Sequence, residues 1–241
     1  MLYNMCMGIE DFLPCDNEKI NELLHFTAEV DKMTSVIRRT MLIDGSRREN
    51  DAEHSWHIAL MAMLFKDYAP EGTDIGRSVQ MCIVHDLIEI YAGDTFAYDL
   101  GANEDKHERE LAAADKLFSQ IPEHLGKEFR NLWEEFDAME TPDAKYAACM
   151  DRIQPYLHNT LTNGHTWKEG HPSVAQVYKR IGIVKDVIPD LWPWVEKNIQ
   201  NEILDNGIKN VMVLINADVF NENFIINSVY VARNVDLNIN D

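Results

Sequence analysis

The chain has 241 residues, 46% of them hydrophobic and 26% charged, proportions of a folded globular protein that exclude wholesale disorder and fibrous repeats. Its 22 Lys and Arg stand against 41 Asp and Glu, a net charge of −19 that repels a phosphate backbone and excludes a nucleic-acid polymer as partner. The longest apolar run, Ile58 to Phe65, falls far short of the ~20 residues that cross a bilayer, so no membrane is expected either. No Lys or Arg precedes Lys19, so the basic start of a secretory signal is missing and the expected location is cytoplasmic. Cys6, Cys15, Cys82 and Cys149 form no C-x-x-C pair and read as reduced thiols, two of them in the core.

Helical signals dominate up to about residue 200. Ile20, Leu23, Leu24, Thr27 and Val30 recur at three- and four-residue steps between Asn17 and Met33. Residues 52–68 repeat the pattern, with Asp51 as N-cap and Pro70-Glu71-Gly72 as the stop. A third helix is predicted from Asp74 through Val79, Cys82 and Ile83 to about Tyr91. Others are predicted over 104–120 and 123–138. Thr141-Pro142-Asp143 combines an N-cap, a Pro at the first helical position and an acid in the first turn, and the helix it starts carries Asp151 and is kinked or ended by Pro155. A helix over 173–188 and a short one from Leu191 complete the series. After Ile203 the composition changes. Nine of the last 39 residues are Asn, and Val211–Ile215 and Phe224–Ile226 favour strands. The expected organisation is therefore one all-α domain over 1–202 with an appended tail, 203–241, of possible strand character.

The chemistry-bearing residues are His54, the pair His85-Asp86, and Asp151, on three separate predicted helices. Two imidazoles and two carboxylates make a mixed N/O set suited to Mn, Fe, Co or Zn, and four protein ligands leave an octahedral ion open positions for water and substrate. Met81-Cys82-Ile83-Val84 and Leu87-Ile88 flank the pair, an apolar context in which an ionised Asp needs a compensating cation. Glu89, four residues after His85 and three after Asp86, projects on the same side of the helix and is placed for proton transfer. Asp94 follows Gly93, where the chain can turn sharply. Arg38, Arg39, Arg47 and Arg48 share an eleven-residue window holding one acid, Asp44, the locally basic patch an anionic group would find.

The order His54, His85-Asp86, Asp151 resembles the HD-domain superfamily of metal-dependent phosphohydrolases. The fuller segments Arg48-Glu49-Asn50-Asp51-Ala52-Glu53-His54-Ser55, His85-Asp86-Leu87-Ile88-Glu89 with Gly93-Asp94, Lys106-His107-Glu108-Arg109-Glu110 and Leu132-Trp133-Glu134-Glu135-Phe136 resemble its 5'-deoxynucleotidase branch. The resemblance runs from about Arg38 to Asn159. It implies an all-α fold, one divalent metal ion (Mn, Co, Fe, Zn or Mg) held by His54, His85, Asp86 and Asp151, Glu89 and Asp94 as catalytic carboxylates, and an Arg contacting the phosphate. Arg39 best matches that Arg by its place before the His54 helix. The aromatic residue that often follows it in the branch is absent, since Thr40-Met41-Leu42 comes next.

His107 and His124 lie in polar surroundings and read as surface residues, which favours one metal over two. Trp56 and Trp167 read as packing residues. The expected function is removal of phosphate from a small nucleotide, a deoxyribonucleoside 5'-monophosphate first of all, by a chain that can act as a homodimer. An HD-type phosphodiesterase or pyrophosphohydrolase, and a catalytically silent nucleotide-binding regulatory protein, are the alternatives.

Overall fold

The computed structural model describes residues 15–99 and 105–204. Among them, α1 (Glu18–Val30) is capped by Asn17, whose side chain accepts from the backbone of Lys19 and Ile20. Two short strands follow, β1 (Ile37–Met41) and β2 (Arg48–Asn50), paired antiparallel with Met41 opposite Arg48. Then come α2 (Asp51–Leu64), α3 (Ile75–Val84), the single-turn α4 (Glu89–Ala92), α5 (Lys106–Phe118) and α6 (Glu123–Ala138). The series closes with α7 (Pro142–Leu161), α8 (His165–Gly170), α9 (Val174–Ile181), α10 (Val184–Val187) and α11 (Trp192–Leu204). The all-α expectation holds apart from the small hairpin.

Helix α7 is the axis of the fold. Its first turn has the predicted Thr141 cap, accepting from Ala144 N, with Pro142 in the first turn. Tyr146, Met150 and Ile153 are buried along it, and α2, α3 and α6 all pack against it. The Tyr146 hydroxyl donates to the Ala62 carbonyl at 2.8 Å, pinning α7 to α2 at a buried point. Ile58 of α2 and Met81 of α3 are fully buried in the same core cluster. Truncating either to Ala is expected to cost about 2–5 kcal/mol. Cys82 and Cys149 lie in the core as thiols, and Cys15 is exposed.

Several local details differ from the sequence reading. The N-cap of α2 is Asn50, in a capping box with Glu53, and Asp51 is its first helical residue. The helix expected over 74–91 is interrupted: His85–Ile88 wind as a tight turn, with Glu89 N bonded to Asp86 O and Ile90 N to Leu87 O. Helix α7 runs past Pro155 to Leu161, and the helix expected over 173–188 is divided into α9 and α10. Trp56 is 65% exposed, against its reading as a packing residue, whereas Trp167 is 2% exposed. His107 and His124 are exposed as expected. Cys6 and the strand character expected after residue 203 lie outside the described residues.

Candidate active site

Three helices bring the four predicted ligands to one point. His54 lies in the first turn of α2, His85 and Asp86 in the turn that follows α3, and Asp151 midway along α7, and each pair of these helices is in contact. His54 Nε2 is 3.2 Å from Asp151 Oδ1 and 3.8 Å from Asp86 Oδ2, while His85 Nε2 is 3.0 Å from Asp86 Oδ2 and 3.9 Å from Asp151 Oδ1. The ligand atoms of His54, His85 and Asp151 all fall within 4.8 Å of one another, and all four side chains are buried.

These residues fit a divalent cation. His85 Nδ1 is 2.9 Å from the Cys82 carbonyl, which only accepts, so Nδ1 carries the proton and Nε2 presents a lone pair to the centre. That buried Nε2 faces Asp86 Oδ2 at 3.0 Å without a well-aligned hydrogen bond, an arrangement that suits a nitrogen able to ligate a cation. Burial, assisted by the Arg38 charge, lowers the His54 pKa to about 4, keeping it neutral and able to ligate. Burial also opposes charge on His85, but Asp86 and Asp151 outweigh it and raise its pKa.

The turn at His85–Ile88 positions Glu89. Three-residue hydrogen bonding nearly eclipses side chains three apart, so Asp86 and Glu89 point the same way. Glu89 is buried, with Oε2 unpartnered. Burial, then Asp86 and Asp51, push its pKa well above the carboxylate range, so it holds a proton readily. Gly93 caps α4 at φ 76°, a left-handed conformation that swings Asp94 back toward the site. Asp51, Glu89 and Asp94 offer a second set of carboxylate oxygens within 4.8 Å of one another.

A guanidinium already serves that second set. Arg38, from β1, places Nη1 3.0 Å from Asp51 Oδ1, 2.9 Å from Asp86 Oδ2 and 3.7 Å from Asp94 Oδ1, with Nε 3.5 Å from Glu49 Oε1. Arg39 instead lies with its cation 4.7 Å from the centre of the Phe96 ring. Arg47 pairs with Glu53 and Arg48 with Glu169, so half of the basic window is spent on surface ion pairs.

Above the cluster opens a cavity of about 250 Å³, lined by His85, Asp86, Glu89, Asp94, Asp151 and Arg39 among others. Arg180 from α9 also lines it, donating from Nη2 to Asp151 Oδ2 at 3.1 Å. Nothing in the sequence around Arg180 signals this, because its neighbour Lys179 makes it read as an ordinary basic helix end. Glu49 was legible only within the quoted motif, and Gln154 not at all. The structure thus brings His85, Asp86, Asp151, Glu89, Asp94 and Arg39 to one cavity, with His54 fully buried behind its wall against Asp151.

The chain is similar to several known proteins. The chain is 32% identical over 136 residues to the human 5'-deoxynucleotidase HDDC2, covering 56% of this chain and 65% of that one. It is 31% identical over 147 residues to the Xenopus laevis protein of the same name, covering 55% and 72%. The alignment thus spans somewhat less than two thirds of the human relative. A crystal structure from Magnetospirillum magnetotacticum, described as a predicted metal-dependent phosphohydrolase, superposes with a TM-score of 0.76 at 40% identity, covering 82% of this chain and 99% of that one. An HD-domain phosphohydrolase from Listeria innocua shares the fold at a TM-score of 0.54 and 16% identity, covering 77% and 95%. The profile of the HD domain matches residues 30–192, and the chain belongs to that family.

Proposed function

We propose that the protein is a metal-dependent phosphohydrolase that removes the phosphate from a small nucleotide, a deoxyribonucleoside 5'-monophosphate first of all. The observation that carries this reading is the convergence of His54, His85, Asp86 and Asp151 beside a cavity lined by the last three together with Glu89, Asp94 and Arg39. The names of the relatives support the substrate class.

His54, His85, Asp86 and Asp151 would hold one divalent ion. When bound, it supplies Lewis acidity toward phosphoryl oxygen and acidifies water. Glu89, raised in pKa and unpartnered at Oε2, handles the proton of the attacking water or leaving alkoxide. Asp94 orients that water. Arg39 clamps the phosphate, with Phe96 beneath its guanidinium limiting the directions it can take. Arg38 offsets the charge of the surrounding carboxylates, the reason we favour one ion over two.

Retention of both Glu89 and Asp94 beside the ligands argues against a silent regulatory protein. Residues 1–202 act as the catalytic domain in this reading, with 203–241 dispensable for chemistry. No helix among the described residues is long and apolar enough to cross a membrane. A cytoplasmic location and a homodimer are compatible with the proposal.

The deciding experiment is phosphate release from a panel of deoxynucleoside and ribonucleoside monophosphates, cyclic nucleotides and nucleoside diphosphates, after chelation and return of Mn or Co. Release from monophosphates supports the proposal. Turnover of cyclic or diphosphate substrates alone would assign a phosphodiesterase or pyrophosphohydrolase instead.

A further inference from the structure

Gln154 stands three residues after Asp151 on α7 and four before His158, so the three side chains share one face of the helix. It is fully buried, and every polar atom of its amide is engaged. The amide nitrogen is 2.7 Å from Glu49 Oε2 and 3.1 Å from His158 Nε2, and the amide oxygen is 3.0 Å from His54 Nδ1. His57 Nδ1 borders the group, 3.4 Å from both Gln154 Nε2 and His158 Nε2.

The proton positions follow from groups that can play only one part. His158 Nδ1 lies 2.8 Å from the Met41 carbonyl, which accepts, so Nδ1 carries the hydrogen and Nε2 is left with a lone pair. A lone pair needs a donor, which turns the NH2 end of Gln154 toward His158. The Glu49 carboxylate on the same side takes the second N–H. The amide oxygen therefore faces His54, and because an amide oxygen only accepts, His54 must carry its proton on Nδ1. His54 Nε2 is then the lone-pair nitrogen, directed at Asp151 and Asp86.

We propose that Gln154 is a positioning residue that fixes the tautomer and ring orientation of His54, with its own amide held in one sense by Glu49 and by His158 on the Met41 carbonyl. The inference rests on the reading of His54 as a metal ligand. His85 needs no such relay, since the Cys82 carbonyl does the same for its Nδ1 directly. His54 Nδ1 instead meets the Gln154 amide oxygen, so for this ring the acceptor comes from the neighbouring helix α7.

The test compares the wild-type chain with Gln154→Met, which keeps length but no hydrogen bonds, and Gln154→Glu, which keeps an acceptor toward His54. Long-range 1H–15N spectra report the His54 tautomer, and chelator competition reports the Co2+ dissociation constant. Expected are an Nδ1–H tautomer in the wild type, a mixture of tautomers with Co2+ affinity weaker by about 10- to 100-fold in Gln154→Met, and affinity within a few-fold of wild type in Gln154→Glu. A wild-type His54 protonated on Nε2, or a Gln154→Met chain with wild-type tautomer and affinity, overturns the proposal. The wild-type spectrum decides the first point even if Gln154→Met fails to fold. If the tautomer responds as expected while no chain binds Co2+, the metal reading of the site fails and tautomer control by Gln154 stands.

Discussion

Arg180 holds one oxygen of Asp151 at 3.1 Å, leaving the other, Oδ1, 3.2 Å from His54 Nε2 and turned to the ligand cluster. The two helices α7 and α9 thus leave one carboxylate shared between the Arg180 cation and the cluster of His54, His85 and Asp86. Asp151→Asn keeps the shape but removes the charge, and an amide nitrogen on the Arg180 side would repel the guanidinium. The expected outcome, read by elemental analysis and phosphate release, is loss of bound metal and of activity together. A variant with full metal content would remove Asp151 from the ligand set, and two ions per active wild-type chain would show that Asp51, Glu89 and Asp94 bind a cation despite Arg38.

Glu89→Gln should retain metal and fold while turnover falls by about 10²–10⁴-fold, the usual contribution of a positioned acid or base. Burial and two neighbouring carboxylates raise the pKa of Glu89, and a neutral amide in its place relieves that repulsion. The apo-chain should therefore melt no lower than wild type. Wild-type turnover in this variant would take Glu89 out of the mechanism.

Adjacent arginines should behave differently. Arg39→Ala removes a charge-assisted contact to phosphate worth about 1.5–3 kcal/mol, which predicts a KM higher by roughly 10- to 100-fold with little change in melting temperature. Arg38→Met leaves Asp51, Asp86, Asp94 and Glu49 without their common cation, and such a buried loss costs about 3–5 kcal/mol of stability. The two are separated by thermal melts and steady-state kinetics on the same preparations. Equal destabilisation by both would contradict the division of roles.

The convergence of His54, His85, Asp86 and Asp151 was legible because His, His-Asp and Asp in that order, each in an apolar helical context, have few other uses. Glu89 was legible from its spacing to the pair. The β1–β2 hairpin was not, because Ile37-Arg38-Arg39-Thr40-Met41 and Arg48-Glu49-Asn50 are charged, short and without alternation, and only tertiary contacts make them strands. The interruption after Val84 was not legible because no Gly or Pro marks it, and the turn differs from α-helix mainly in hydrogen-bond spacing. Arg180 and Gln154 lie on helices whose local pattern is ordinary; their roles exist only across the fold.

Glu49 gives a pH signature. Burial raises its pKa to about 7, against the opposing pull of Arg38 and Gln154, while an unfolded Glu titrates near 4.3. Between about pH 4 and 7 the folded chain holds a proton that the unfolded chain has lost, so this residue's contribution to stability falls as pH rises and levels off above about 7. Its full span is on the order of 3 kcal/mol. Denaturant melts of wild type and Glu49→Gln should therefore diverge with pH, the variant gaining on the wild type from pH 5 to 8. A constant difference across that range would mean that Glu49 is ionised throughout.

The most direct measurement is phosphate release from deoxynucleoside 5'-monophosphates by the wild-type chain before chelation, after chelation, and after Mn or Co is returned. The account predicts that activity disappears with the metal and comes back with it, and that deoxynucleoside monophosphates are hydrolysed faster than cyclic nucleotides or diphosphates. Undiminished release in the presence of a strong chelator, or no release from any nucleotide by a metal-loaded chain, would contradict it.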